Sequence, residues 1–136
     1  MALRRLNKFS IFKAYDIRGL YPSQINEKIV SQIVWALIKF FKGGRLIIAH
    51  DGRLSSPSLY RTAVREFKKT NKFKLEKIGL STTPMFYFLV NKFKASGGIM
   101  ITASHNPKNY NGLKIVDKKV QMINGEKVIK IMKKYE

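Results

Sequence analysis

Between Ile101 and Lys114 the chain reads ITASHNPKNYNGLK, which gathers a serine, a histidine, three asparagines and two lysines into one stretch. Two apolar runs, Ile99 to Ala103 and Leu113 to Val116, bracket it. A tight connection between strands needs about two of its Pro, Gly or Asn residues, so the surplus calls for another reason. Ser104 is a candidate acceptor hydroxyl, with Arg18, Arg53, His105 and Lys114 as possible phosphate-binding groups. Gly112 and the asparagines let the backbone turn tightly and present N–H donors to an anion. Two further polar clusters, Tyr15-Asp16-Ile17-Arg18-Gly19 and His50-Asp51-Gly52-Arg53, also follow extended or apolar segments. Such clusters fit the crevice beyond the carboxyl ends of parallel strands, where open α/β sheets bind ligands.

Two other chemistries fit these residues poorly. A hydrolase pairing of Ser104 with His105 would need sequence neighbours to point at one another, and no G-x-S-x-G elbow is present. Zinc would have only His50 and His105, with no cysteine and no carboxylate cluster.

The elements that must position these groups alternate between strand-like and helix-like segments, the pattern of a layered α/β domain. An extended segment is expected over Phe9 to Ile17. A helix follows from Asn26 to Lys42, capped by Asn26, ended by Gly43-Gly44 and apolar along Ile29, Val30, Ile33, Val34, Leu37, Ile38 and Phe41. Trp35 falls in the middle of its polar face. There the ring either lies along lysine stems or marks a surface that another domain or subunit covers. Leu46 to Ala49 reads as a short buried strand. A second helix starts with Ser56 as cap and Pro57 as first residue. Leu75 to Leu80 is a second strand, Thr83-Pro84 starts a third helix, and Ile99 to Ala103 and Leu113 to Val116 are two more strands. Asn124-Gly125 introduces a last helix with Val128, Ile129, Ile131 and Met132 inside.

The 136 residues suit one domain with a real core. No apolar run nears the roughly 18 residues of a membrane span. The opening MALRRLNKFSIFK has no apolar core of a signal peptide, and the chain has no cysteine, so no membrane association and a cytoplasmic setting are expected. Charge is the outlier, with 27 basic residues against 8 acidic and a net charge of +19. Such a field attracts phosphates of many kinds. The abundance of Lys, Asn, Ile, Phe and Tyr is equally what an AT-rich genome would encode, and both readings stand.

The motifs carry a resemblance. T-A-S-H-N-P followed by Y-N-G-x-K resembles the phosphoserine loop of the alpha-D-phosphohexomutases, the phosphoglucomutase and phosphomannomutase superfamily. FKAYDIRG, Phe12 to Gly19, is similar to that family's opening motif, and AHDGRLSSP to its G-R-D-x-R-x-S segment. His50 replaces an arginine often seen there, and Lys108 a frequent small residue or proline. With the alternation above, the expected fold is a single three-layer α/β/α domain spanning 1–136. Its sheet is mixed, mostly parallel and four-stranded, with the last strand antiparallel.

The resemblance implies that Ser104 is carried as a phosphoserine, giving its phosphoryl group to a hexose monophosphate through a 1,6-bisphosphate. It implies catalytic roles for Ser104, Lys114 and Arg18, with Lys114 the better acid–base candidate. Tyr15, Arg18, His105, Asn106 and Lys114 would bind substrate or phosphate. Mg²⁺ would be held through the Ser104 phosphate and by an acidic D-G-D-x-D-R loop of the family's second domain. This chain resembles only the first of the family's four domains and lacks that loop. The expectation is a chain inactive alone, needing the other domains in cis or trans, hexose phosphates as substrates and glucose or mannose 1,6-bisphosphate as activator. The alternative is a non-catalytic basic module that binds anions or nucleic acid, although the motifs that read nucleic-acid sequence are missing.

Overall fold

The computed structural model describes residues 11–135. Its helices form where the sequence offers an apolar stripe and a local start signal. In α1 (Glu27–Phe41) the Asn26 side chain accepts a 3.0 Å hydrogen bond from the Ile29 N–H, and Ile29, Val30, Ile33, Val34, Leu37 and Ile38 face inward. Lys42, rather than Gly43, takes the left-handed closing position at φ +69° and donates its N–H to Ile38. Asn124 likewise caps α4 (Gly125–Lys134) by accepting from Lys127 at 2.8 Å. Thr82 caps α3 (Thr83–Lys92). The helix α2 (Ser56–Lys68) departs from expectation. Ser55 occupies its cap position without a side-chain capping bond, and Ser56 lies inside the helix with its hydroxyl turned to Asp51.

Among the described residues five strands build the sheet where four were expected: β1 (Ile17–Leu20), β2 (Gly44–His50), β3 (Phe73–Leu80), β4 (Gly97–Ile101) and β5 (Tyr110–Asp117). Their order is β1-β5-β4-β2-β3, with β2 parallel to β3 and β4, and β5 antiparallel to both β4 and β1. Four strands thus run one way and the last strand opposes them. The extra strand is β1, a four-residue edge made of IRGL. The extended segment expected over Phe9 to Ile17 begins outside the described residues and, from residue 11, precedes most of this strand. The strand expected over Ile99 to Ala103 ends at Ile101, and β5 starts at Tyr110, so Asn111 and Gly112 belong to a strand and not to a turn.

Period-two alternation divides the core between two faces. On one, Leu46, Ile48, Ile99, Ile101, Leu113 and Ile115 pack with α1, α2 and α4. On the other, Ile47, Ala49, Met100 and Val116 pack with Phe86 and Val90 of α3. Gly98 permits that approach, since a Cβ there would lie 2.7 Å from the Phe86 ring. Trp35 is 47% exposed, with the Lys39 Nζ 4.5 Å from its ring centroid. Among the described residues no helix is long and apolar enough to cross a membrane.

Gly112 controls the β1 edge. It pairs with Arg18, and a Cβ on it would sit 1.8 Å from the Ile17 carbonyl oxygen. No side chain fits there unless β1 moves. Gly112→Ala is therefore expected to push β1 off β5 and to destabilise the chain by about 3 kcal/mol, read as a lower urea midpoint. An unchanged midpoint would show that β1 yields without cost.

Candidate functional site

The loop between β4 and β5 is held from below by the turn after β2. Asp51 opens an Asx turn, its Oδ1 accepting the Arg53 N–H at 3.1 Å and the Ser56 hydroxyl at 2.6 Å. Its Oδ2 accepts from Arg53 Nε at 3.2 Å and from the Thr102 hydroxyl at 2.7 Å. The Arg53 guanidinium then reaches across to four loop carbonyls: Pro107 at 2.6 Å, Tyr110 at 3.1 Å, Ser104 at 3.0 Å and Asn106 at 2.7 Å. An arginine has five N–H donors, and all five are taken up here. Arg53 is accordingly a scaffold for the loop, not the phosphate-binding group suggested by its position in the sequence.

That grip sets the conformation of Ser104. Its backbone sits at φ +55°, a left-handed position uncommon for residues other than glycine. The Ser104 N–H donates to the Thr102 hydroxyl at 3.0 Å, and its carbonyl is fixed by Arg53. The Ser104 Oγ is buried and has no hydrogen-bond partner among the described residues. Asn106 contributes its main chain, donating to Ala103 and accepting from Arg53. The His105 side chain is exposed, without a hydrogen bond among the described residues. Asn111 is fully buried, donating to the Ser55 and Ser56 hydroxyls and accepting the Gly112 N–H at 2.8 Å. Gly112 therefore has no N–H to offer an anion.

Arg18 and Lys114 come together on the sheet face that carries α3. The helix packs over β2 and β4 and leaves the β5–β1 flank of that face, among the described elements, to polar side chains. Pairing of Ile17 with Leu113 sets the alternation that points Arg18 and Lys114 to this flank. Between them lies Asp16, 3% exposed, with Oδ2 at 3.9 Å from Lys114 Nζ and Oδ1 at 2.8 Å from Arg18 Nε. The Arg18 N–H is not aimed at that oxygen, so both atoms keep unused hydrogen-bonding capacity and the attraction is mainly coulombic. Burial, with a smaller contribution from the Asp16 charge, pushes the nearby Tyr87 phenol above its ordinary range. Tyr15 projects from the same segment, 69% exposed.

Sequence reasoning missed Asp16, Asp51, Thr102 and Asn111 as organisers. The D-G-R spacing of an Asx turn was the one local signal for Asp51; the others depend on long-range partners. Mg²⁺ does not fit the residues of this chain alone. Among the described residues no three His, Asp or Glu side chains cluster, Asp51 is engaged by Arg53, Ser56 and Thr102, and Asp16 faces two cations.

Burial alone would raise the Asp51 carboxyl. The Ser56 and Thr102 hydroxyls, with the N–H and charge of Arg53, outweigh it and hold Asp51 below the usual carboxylate range. A depressed carboxyl stabilises the fold above its unfolded value, near pH 4, and loses that contribution as pH falls through the lower folded value. Asp51→Asn is expected to flatten the acid limb of stability below about pH 4, measured by urea midpoints across pH. Arg53→Lys keeps the charge but offers three donors for five acceptors. It should cost about 2 kcal/mol and speed amide exchange over Thr102–Tyr110 more than elsewhere.

Residues 10–136 match the profile of the phosphoglucomutase/phosphomannomutase alpha/beta/alpha domain I. A Xanthomonas campestris pv. campestris (strain B100) protein named Phosphohexose mutases is 39% identical over 115 residues, covering 85% of this chain and 25% of that protein. A Klebsiella pneumoniae phosphomannomutase is 40% identical over 121 residues, covering 89% of this chain and 76% of its own length. A solved phosphoglucomutase/phosphomannomutase family protein from Burkholderia thailandensis superposes with a TM-score of 0.78 at 29% identity, over 92% of this chain and 29% of that one. The chain spans about a quarter of the Xanthomonas relative it matches. With this profile matched over almost its whole length, the chain belongs to the phosphoglucomutase/phosphomannomutase family and carries that family's domain I.

Proposed function

We propose that this chain is the phosphoserine-bearing domain of a hexose-phosphate mutase that interconverts 1- and 6-phosphates through a bisphosphate. The observation that carries the reading is Ser104 itself: a partnerless hydroxyl on a left-handed backbone, in a loop whose carbonyls are clamped by Arg53. Strain of this kind persists where the surroundings over-determine it, and such positions cluster at functional sites. The T-A-S-H-N-P motif around Ser104, which resembles the family's phosphoserine loop, supports the same residue.

In the first half-reaction the bond from phosphorus to Ser104 Oγ breaks while one to a sugar hydroxyl oxygen forms. The hydroxyl loses its proton and Ser104 Oγ gains one. In the second half the other phosphate of the bisphosphate returns to Ser104. Transfer of this type needs positioning and charge neutralisation more than covalent help. Phosphoserine brings about −1.5 to −2 charge. Arg18 binds phosphate oxygens, while Lys114 holds or releases the proton. Asp16 keeps the two cations on one flank. Tyr15, His105 and Asn106 line the substrate side.

Residues 1–136 act as domain I, and the remaining family domains, in cis or trans, read the sugar and complete the binding of Mg²⁺. That ion, when held, would neutralise the transferring phosphate. Glucose or mannose 1,6-bisphosphate primes Ser104, and the setting is the cytoplasm.

Incubation with glucose 1,6-bisphosphate and Mg²⁺ is expected to give negligible mutase turnover from this chain alone. Once a relative's remaining domains are supplied in trans, turnover should follow, with a phosphoryl group added to the intact mass. Ser104→Ala should abolish both, and Lys114→Met should lower turnover about 10²-fold while leaving the fold intact. Robust turnover by the isolated chain would overturn the need for other domains, and phosphoryl transfer to Ser104→Ala would overturn the assignment of the serine.

A further inference from the structure

A second concentration of charge lies toward the far end of α2. From Ser56, which meets Asp51, the helix runs about 18 Å to Lys68 at 1.5 Å per residue. Arg61, Arg65 and Lys68 follow one another at spacings of four and three and share a stripe. Lys77 approaches from β3, the edge strand opposite β1. Together with Tyr60 and Val64 these side chains line a hollow of about 560 Å³. Lys69 also borders it, but is paired with Glu66 at 2.7 Å. None of the other four cations forms an ion pair with another described residue. The neighbouring Lys77 side chain pushes Lys68 below the ordinary lysine range.

We propose that this α2–β3 hollow is an anion site separate from the Ser104 loop, taking a small phosphate-bearing ligand with at least two negative charges. Two arginines offer planar forks to phosphate oxygens, and two lysines add point charges. The volume falls in the range of small-molecule sites, and Tyr60 and Val64 in the lining suit the less polar body of such a ligand. The cations converge on the hollow from two elements. A nucleic-acid backbone would instead call for a track of charge continuing along the surface. Nothing in this assignment depends on Ser104 being a phosphoryl carrier.

The test titrates the ¹⁵N-labelled chain with pyrophosphate at fixed ionic strength and follows the amides of Arg61, Arg65, Lys68 and Lys77. Saturable shifts centred on these residues are expected. They should weaken at least about tenfold in the double variant Arg65→Gln/Lys77→Gln. They should be unchanged in Ser104→Ala and nearly unchanged in Lys118→Gln/Lys119→Gln, which removes the same charge elsewhere. Both substituted pairs are exposed, and unaltered thermal midpoints will verify that the variants fold. Equal weakening by the Lys118/Lys119 variant would reduce the effect to diffuse attraction and overturn the site. Shifts centred on Thr102–Tyr110, or tighter binding of an Asp/Glu-rich peptide than of pyrophosphate, would overturn it as well.

Discussion

All the donors of one guanidinium end on oxygens of its own chain, and the geometry around Ser104 depends on that. Arg53 ties the turn after β2 to the loop after β4 through a carboxylate and four carbonyls. Left unpaired away from water, each such carbonyl would cost about 1–3 kcal/mol, so the loop has one favourable arrangement. That arrangement includes the left-handed backbone of Ser104. Asp51 carries the constraint further, to Ser56 in α2 and to Thr102, which in turn orients the Ser104 N–H. Arg53 cannot also serve an incoming anion, which leaves that work to cations elsewhere.

Those cations depend on a different constraint, the closeness of β1 to β5. A glycine at 112 lets the edge strand approach, and the pairing of Ile17 with Leu113 fixes which way Arg18 and Lys114 point. A one-residue slip would turn both toward the apolar face beneath α1, α2 and α4. Asp16, buried between them, offsets like-charge repulsion without satisfying either hydrogen-bonding group fully. The arrangement retains unused donors beside a region that α3 does not cover.

Much of the architecture was legible beforehand. Asn26 and Asn124 announce their helices through caps three residues long, and the apolar spacing of α1 points its face correctly. The antiparallel last strand also agrees with expectation. The fifth strand was hidden because IRGL is short, contains a glycine and an arginine, and becomes a strand only by pairing with β5. The cap assigned to Ser56 failed for a related reason: its hydroxyl is engaged by Asp51 and by Asn111, 55 residues away.

By itself the sequence determined the alternation of helices and strands, the basic surplus of the chain and the three motifs that mark its family. These are properties of composition or of interactions within a few residues, where period and capping have their physical origin. Only the tertiary structure decided that Arg53 is scaffold, that Gly112 is a crossing point and that Asp16 stands between Arg18 and Lys114. Each of those roles joins groups brought together from separate elements by sheet order and register. A side chain's donors and charges acquire partners only after the sheet has assembled, so their use cannot be read from residue type and spacing alone.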